Sequence, residues 1–488
     1  MSTPPLMRRY YAGLAAGLLL ALAAWWWNPF TLEPAACKAV AVGALMITWW
    51  VAEVLPMPAV ALLPLLLFPL LGVEGIDGTS KAYSNPVIFL FMGGFFLGLA
   101  IEKWNLHQRI ALTILSRTGA SGNRILLGFV LATSLLSMWL SNTATTMMLF
   151  PIALSVIAVL KEHPQPGSNP RYFALSLLLI IAWASNLGGM ATLIGTPPNV
   201  AFAAFIEKKY GYQISFFNWM LVCLPLVVVL LAVLYGLLAH VLFPSRIRDS
   251  AVARDYIKSE LAALGPLGPT ERRVLLIFGG TAFLWMSREL VNQIPYVRLD
   301  DNMIAVLGAL ALFATPAAKT DRARSRMVLD WSDTGKMAWG ILLLFGGGIA
   351  LANGLETTGV MGLIGKGLAS AGLWHGLVLV LVITVLSIFL SEVMSNVAQV
   401  IVFAPVLAAL ADALQLEPLL LGLPMTLAAS AAAMLPMGTP PNAIVFGSGQ
   451  IPLRQMLRAG LVMNLVSIVL ITLFCWYVLP QVMGVLGK

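Results

Sequence analysis

Two short motifs recur in this chain at nearly the same separation. Ser141-Asn142-Thr143 is followed by Gly195-Thr196-Pro197-Pro198-Asn199, and Ser395-Asn396-Val397 by Gly438-Thr439-Pro440-Pro441-Asn442. A constant shift of 254 residues relates Phe91 to Phe345, Glu102 to Glu356, Ser137 to Ser391, Asn142 to Asn396 and Pro151 to Pro405. The shift drops to 243 at the second motif, because the polar loop 161–171 of the first copy has only a short turn near Glu417-Pro418 as its counterpart. The chain is therefore a duplication with one loop shortened.

The duplicated unit is a membrane one. Hydrophobic residues make up 59% and charged residues 10%, where a soluble domain carries about a quarter charged. Apolar stretches long enough for a hydrocarbon layer of about 30 Å recur throughout. Spans are expected near 10–27, 39–55, 56–71, 86–102, 172–205, 218–243, 273–289, 301–317, 338–352, 418–450 and 460–483. Arg8-Arg9 and the apolar run to Trp27 resemble a signal peptide but lack a small-x-small cleavage site, so this run reads as the first span with interfacial tryptophans. Segments 124–160 and 376–412 are too long for one crossing and break at the Ser-Asn motifs, which makes each a re-entrant hairpin. The fold class is thus an all-α polytopic membrane protein, with about eleven transmembrane helices and two re-entrant helical hairpins.

Charge sets the orientation. With the N-terminus inside and neither hairpin crossing, 21 of the 29 Lys and Arg residues fall on the cytoplasmic face, in line with the positive-inside rule. The C-terminus is then outside. The two hairpins open to opposite faces although their sequences align, so the repeats are inverted. Inverted repeats with broken helices meeting at the midplane are the architecture of secondary transporters.

The net charge of +8 is spread over loops, with no basic domain to bind nucleic acid. Cys37, Cys223 and Cys475 are isolated, and the four histidines are scattered, so neither a disulfide nor a metal cluster is read from them. No HExxH, GxSG-like element or aspartate pair at membrane depth supports an intramembrane enzyme. An ion channel is the remaining rival class.

A helix break inside hydrocarbon survives only where protein or a wet cavity satisfies it. Glycine permits close approach and consecutive prolines remove donors, leaving upstream carbonyls free. Ser137 and Ser141, like Ser391 and Ser395, are four residues apart, which puts both hydroxyls of a pair on one helix face before the turn. Hydroxyls, the Asn142 or Asn396 side chain and carbonyls around Gly195 or Gly438 would form a neutral oxygen cage suited to sodium; calcium would want carboxylates. Half-helix N-termini beyond each break favour an anion as cargo. No Lys or Arg lies in the motifs. Helix packing by small polar residues is the competing reading of these motifs.

Glu392 is an ionisable group at membrane depth with either a cation or proton role or a structural hydrogen bond to the neighbouring scaffold; Met138 is its counterpart. Glu102 and Glu356 precede amphipathic stretches 103–122 and 353–372, which read as interfacial. Gly93-Gly94 and Gly347-Gly348 read as close helix contacts.

These paired SNT-type and TPPN motifs resemble the divalent anion/sodium symporter family of di- and tricarboxylate and sulfate transporters, across essentially the whole chain. The resemblance implies a homodimer in the lipid bilayer, with a fixed scaffold and a transport domain that moves as an elevator. The corresponding division is scaffold 1–122, transport 123–210, scaffold 211–374 and transport 375–488. The resemblance implies a first sodium site at Ser137, Ser141, Asn142 and Gly195, and a second at Ser391, Asn396 and Gly438, beside Ser395. Two or more sodium ions would be coupled. Substrate carboxylates would meet Asn142, Thr143, Asn396, Thr439 and Pro440, with Val397, Thr196 and Pro197 completing the candidate set.

Val397 departs from the threonine common in dicarboxylate carriers of that family and loses one hydrogen bond, about 0.5–1.5 kcal/mol. The reading is a sodium-driven importer of C4-dicarboxylates such as succinate, malate or fumarate. An anion exchanger, or a sulfate or citrate carrier, is the alternative. The absence of a eukaryotic targeting extension points to a bacterial cytoplasmic membrane.

Overall fold

The computed structural model describes residues 5–27, 32–321, 325–370 and 376–486, and is all-helical there apart from one isolated bridge between Pro316 and Met327. The division placed between 374 and 375, the end of the stretch 353–372, and Lys488 lie outside the described residues. Nine helices among those described are long and apolar enough to cross a membrane, and shorter apolar helices such as Tyr10–Trp26, Met57–Leu71 and Asp301–Ala314 accompany them.

The repeat is visible element by element. Each copy runs through a long helix (Pro86–Lys103 or Trp339–Thr357), a short arm helix (Leu106–Thr118 or Val360–Ser370), a hairpin, a broken helix and a final span. The hairpins are Gly122–Ser137 with Asn142–Glu162, and Gly376–Ser391 with Asn396–Leu414. The broken helices are Pro170–Gly189 with Pro197–Tyr210, and Pro418–Ala429 with Pro440–Phe446. The final spans are Phe216–Leu242 and Leu453–Val482. The stretches 172–205 and 418–450, expected as single spans, are thus two helices each, because the Pro-Pro pairs start a new helix.

Start signals explain most boundaries. Pro stands at the first helical turn of Pro86–Lys103, Pro170–Gly189, Pro197–Tyr210, Pro418–Ala429 and Pro440–Phe446, where its missing N–H costs nothing. Asn85, Ser141, Asn169 and Ser215 cap their helices by accepting from Val87, Ala144, Tyr172 and Asn218 N–H. A helix over Ala251–Ala263 lies in the stretch 246–273 that reads as loop from sequence. It has no long apolar run to announce it, and Ser250 caps it on the Ala253 N–H.

The glycine pairs pack as expected. A methyl on Gly93 would lie 2.6 Å from the Ala305 backbone, and one on Gly347 would lie 2.2 Å from the Ala61 carbonyl oxygen. The same contact is therefore built twice, once against Asp301–Ala314 and once against Met57–Leu71.

Between the repeats, Pro197–Tyr210 packs on the second hairpin's Asn396–Leu414, and Pro440–Phe446 packs on the first hairpin's Asn142–Glu162. Each broken helix thus feeds its second half to the other repeat's hairpin, and the four motifs meet in one region. At the far end of Pro197–Tyr210, Lys209 bridges Asp412 at 3.1 Å and Glu356 at 3.5 Å.

Candidate functional site

The first hairpin turns over Met138–Leu140. Ser137 is the last residue of its helix, whereas Ser141 caps the next one and accepts from Ala144 N–H at 3.2 Å. The three-residue turn breaks helical register, so the two hydroxyls do not share a helix face as their spacing predicts. The second hairpin repeats this, with Ser391 closing one helix and Ser395 at the cap of the next.

Buried Ser137 faces two acceptors: Asn142 Oδ1 at 2.8 Å and the Ser185 carbonyl at 2.7 Å. Its mirror Ser391 faces Asn396 Oδ1 and the Ala429 carbonyl, both at 2.6 Å. One hydroxyl proton serves one acceptor at a time, so each tip holds surplus acceptor oxygen. At the first tip more oxygens converge. A methyl on Gly195 would lie 2.5 Å from Gly189 O and 3.0 Å from Ser137 O. One on Gly189 would lie 2.5 Å from Asn142 Oδ1 and 3.1 Å from Gly195 O. This methyl-free cradle of carbonyl and carboxamide oxygens fits a small hard cation, whose ligands sit at about 2.3–2.6 Å for calcium-sized ions.

The second tip is different. A methyl on Gly438 would lie 2.9 Å from Glu392 Oε2 and 3.4 Å from Leu435 O, so that cradle is looser and has a carboxylate at its edge. It is not the neutral cage that composition of the motif implies. Glu392 accepts from the N–H groups of Ala433, Met434 and Leu435 at 2.9, 2.8 and 2.8 Å, and from Asn464 Nδ2 at 2.7 Å. Its carboxylate closes the helix break, and these partners lie within the second repeat itself and not in the neighbouring scaffold.

The first break is fastened by other means. Asn199 Nδ2 donates to the carbonyls of Gly189, Met190 and Thr192 at 3.1, 3.5 and 2.9 Å. Trp219 Nε1 donates to Met190 O at 3.0 Å, and the Thr192 hydroxyl donates to Met138 O. Asn442 repeats part of the Asn199 role on Leu435 O at 3.1 Å. The terminal Asn of each TPPN motif is therefore a fastener, and several carbonyls that proline was expected to free are already engaged.

A cavity of about 1040 Å³ opens against the first hairpin. Ser141 and Thr143 form part of its wall, as do Glu102, Lys103, Tyr256 and Lys336. Asn396, Val397, Thr196, Pro197, Thr439 and Pro440 do not line it. Thr196 and Thr439 are buried cap residues, with Pro197 and Pro440 in the first turns behind them. Val397 is half-buried and packs against both apolar clusters, one of them around Val42, Leu344 and Ala398, whereas its mirror Thr143 lines the cavity.

One bridging residue was invisible from sequence. Asn186 Nδ2 donates to Thr439 Oγ1 at 3.0 Å, and its Oδ1 accepts from Asn142 Nδ2 at 3.4 Å. The first hairpin and the second TPPN motif meet through it.

A profile described as "Sodium:sulfate symporter transmembrane region" matches residues 10–482. The sodium-dependent dicarboxylate transporter SdcS of Staphylococcus saprophyticus is 39% identical over 479 residues, covering 97% of this chain and 92% of that protein. SdcS of Staphylococcus aureus (strain USA300) is 40% identical with the same coverage. Among solved structures, the YdaH transporter of Alcanivorax borkumensis superposes with a TM-score of 0.57 at 14% identity, over 91% of this chain and 99% of that one. MtrF of Neisseria gonorrhoeae gives 0.58 at 13% identity, over 97% and 95%. At such identities the structural likeness concerns the fold alone.

Proposed function

The chain belongs to the sodium:sulfate symporter family, and we propose that it is a secondary transporter that imports small divalent anions, C4-dicarboxylates first among them, together with sodium. The observation that carries this reading is the surplus of acceptor oxygen at Ser137–Asn142 and Ser391–Asn396. Oxygen acceptors packed without enough protons are stabilised by a cation. The dicarboxylate named for the SdcS relatives supplies the substrate class.

Sodium would sit in the first cradle on Asn142 Oδ1 and the Ser137, Gly189 and Gly195 carbonyls, with Ser141 alongside, and in the second beside Ser391, Ser395, Asn396 and Gly438. Neutralising these oxygens draws the hairpin tips together. The N-termini of Asn142–Glu162, Pro197–Tyr210 and Asn396–Leu414 then present positive dipole ends to the anion. Asn142, Thr143, Asn396, Val397, Thr196, Pro197, Thr439 and Pro440 are the residues proposed to meet its carboxylates.

In this reading residues 123–210 and 375–488 form a mobile unit and 1–122 and 211–374 a scaffold, two copies pair in the bilayer, and the re-entrant hairpins never cross. The cavity at Thr143 shares its wall with Tyr256 and Lys336 from the charge-rich segments 246–273 and 319–336, which positive-inside bias places in the cytoplasm. The arrangement is then inward-facing, in a bacterial cytoplasmic membrane with the N-terminus inside.

Uptake of radiolabelled succinate into proteoliposomes tests this, with a sodium gradient, with potassium in place of sodium, and with succinate preloaded. Uptake that needs the sodium gradient is the expected result. Uptake that needs internal anion instead would make the protein an exchanger, and silence in all three would overturn the dicarboxylate assignment.

A further inference from the structure

Asn186 lies 253 residues from Thr439 in sequence yet touches it, and the contact completes a chain of side chains across the two repeats. Ser137 Oγ donates to Asn142 Oδ1 (2.8 Å), Asn142 Nδ2 to Asn186 Oδ1 (3.4 Å), and Asn186 Nδ2 to Thr439 Oγ1 (3.0 Å). Asn186 and Thr439 are each only 3% exposed, so water does not compete for the bond between them, whereas Asn142 is half-buried. Asn142 contributes its oxygen to the first cation cradle and its amide nitrogen to Asn186 from one rigid plane, so a cation that pulls the oxygen reorients the donor.

At the far end, Thr439 Oγ1 accepts from Asn186 Nδ2 and from Asn442 N–H at 3.4 Å. A hydroxyl has two acceptor positions and one proton. With both acceptor positions filled, the proton of Thr439 is left to donate, which is what a carboxylate requires.

Among the described residues the mirrored chain is absent. Matching Ser137–Ser185 O to Ser391–Ala429 O places Ser430 where the first repeat has Asn186. Buried Ser430 Oγ has no hydrogen-bond partner, and the gap it shares with Trp183 and Asn186 has no room for a water molecule. Thr196 makes no cap with its side chain.

We propose that Asn186 is a positioning residue that couples sodium in the first cradle to anion binding at Thr439 of the other repeat, and that the second cradle has no equivalent link to the first repeat. The proposal rests on the function stated above. It assigns the sodium dependence of substrate affinity to one side chain outside both motifs.

The test is equilibrium binding of radiolabelled succinate to the full-length protein in nanodiscs, with sodium varied against choline. The coupling factor is the ratio of succinate Kd at low and high sodium, and linkage requires succinate to change sodium affinity by the same factor. Asn186→Ser should lower that factor at least about fivefold, the lower end of ordinary coupling, while sodium alone still raises the melting temperature. Should that variant not fold, Thr439→Val, which cuts the same chain at its other end, should lower the factor on top of the sodium-independent loss of succinate affinity that its own missing hydroxyl brings, and Thr439→Ser should restore both. A loss of succinate affinity by the same multiple at every sodium concentration would mean Asn186 is merely structural and would overturn the proposal. Wild-type protein whose succinate binding ignores sodium would overturn the function and this inference together; wild-type coupling that survives in the variants would overturn this inference alone.

Discussion

Phe91 and Phe345, equivalent positions of the two repeats, touch each other edge to face, with ring centroids 5.4 Å apart and planes at 84°. Two symmetry-related residues can be in mutual contact only near the axis that relates them. The pseudo-two-fold axis therefore passes between Pro86–Lys103 and Trp339–Thr357 at this pair. Both rings are buried, at 1% and 2% exposure.

The rings are expected to couple. Each Phe→Ala substitution should destabilise the protein by about 3–5 kcal/mol, and a double-mutant cycle with Phe91→Leu and Phe345→Leu should return a coupling of about 0.5–1.5 kcal/mol. Reversible unfolding in detergent measures both. Additive effects in the cycle would show that the pair contributes area alone.

Gly195→Ala and Gly438→Ala should differ although the glycines are equivalent. At Gly195 the new methyl meets backbone oxygens at 2.5 and 3.0 Å, which cannot move without opening the break. At Gly438 its nearest neighbour is a carboxylate oxygen at 2.9 Å, the far end of a side chain. Sodium-driven uptake should vanish in the first variant, whose cradle is filled, and persist with a raised sodium requirement in the second. Equal damage in both would remove the distinction between a tight and a loose cradle.

Glu392→Gln tests a fastener against a carrier of charge. The Gln oxygen can take the place of Oε1, but its amide nitrogen would then face the Leu435 N–H that now donates to Oε2. An unsatisfied buried donor costs about 1–3 kcal/mol, so the melting temperature should fall while sodium ions moved per anion stay the same. A changed stoichiometry at unchanged stability would instead give Glu392 a direct part in ion transfer.

Thr143 lines the open cavity together with Tyr256 and Lys336. A Thr143→Cys variant without the native cysteines should react with an impermeant thiol reagent applied from the Lys336 side, and high succinate with sodium should slow the reaction. Faster labelling from the opposite side would reverse the orientation drawn from the positive residues.

Much of this architecture was legible in the chain because its breaks are written in short-range chemistry. The hairpin tip at Ser141 and the second halves starting at Pro197 and Pro440 stand where an N-cap or a proline dictates, whatever the tertiary context, whereas Ser395 stands at the equivalent position without a side-chain cap. What was hidden depends on contacts across the sequence. Asn186 reads as one polar residue in an apolar helix until Thr439 arrives beside it. Asn199 and Glu392 fasten breaks whose loose N–H and carbonyl groups appear only once the helices are placed. The Ser137/Ser141 pair misleads because periodicity presumes a continuous helix, and the turn at Met138–Leu140 ends it.

Val397 joins sequence and structure in one experiment. It is a valine where Thr143 stands in the first repeat, and its methyls rest on the apolar cluster that includes Leu344 and Ala398. Val397→Thr is nearly isosteric but inserts a hydroxyl, which costs about 1–3 kcal/mol if it stays in apolar surroundings without a partner. Should the hydroxyl turn toward bound anion, that cost is offset and the ranking of succinate, sulfate and citrate as competing inhibitors should change, with the four-carbon dianion gaining most. Competition assays on the variant and its parent decide. An altered ranking places position 397 at the substrate, whereas an unaltered ranking with a lowered melting temperature makes it a packing residue and leaves anion recognition to Asn142, Thr143, Asn396 and Thr439.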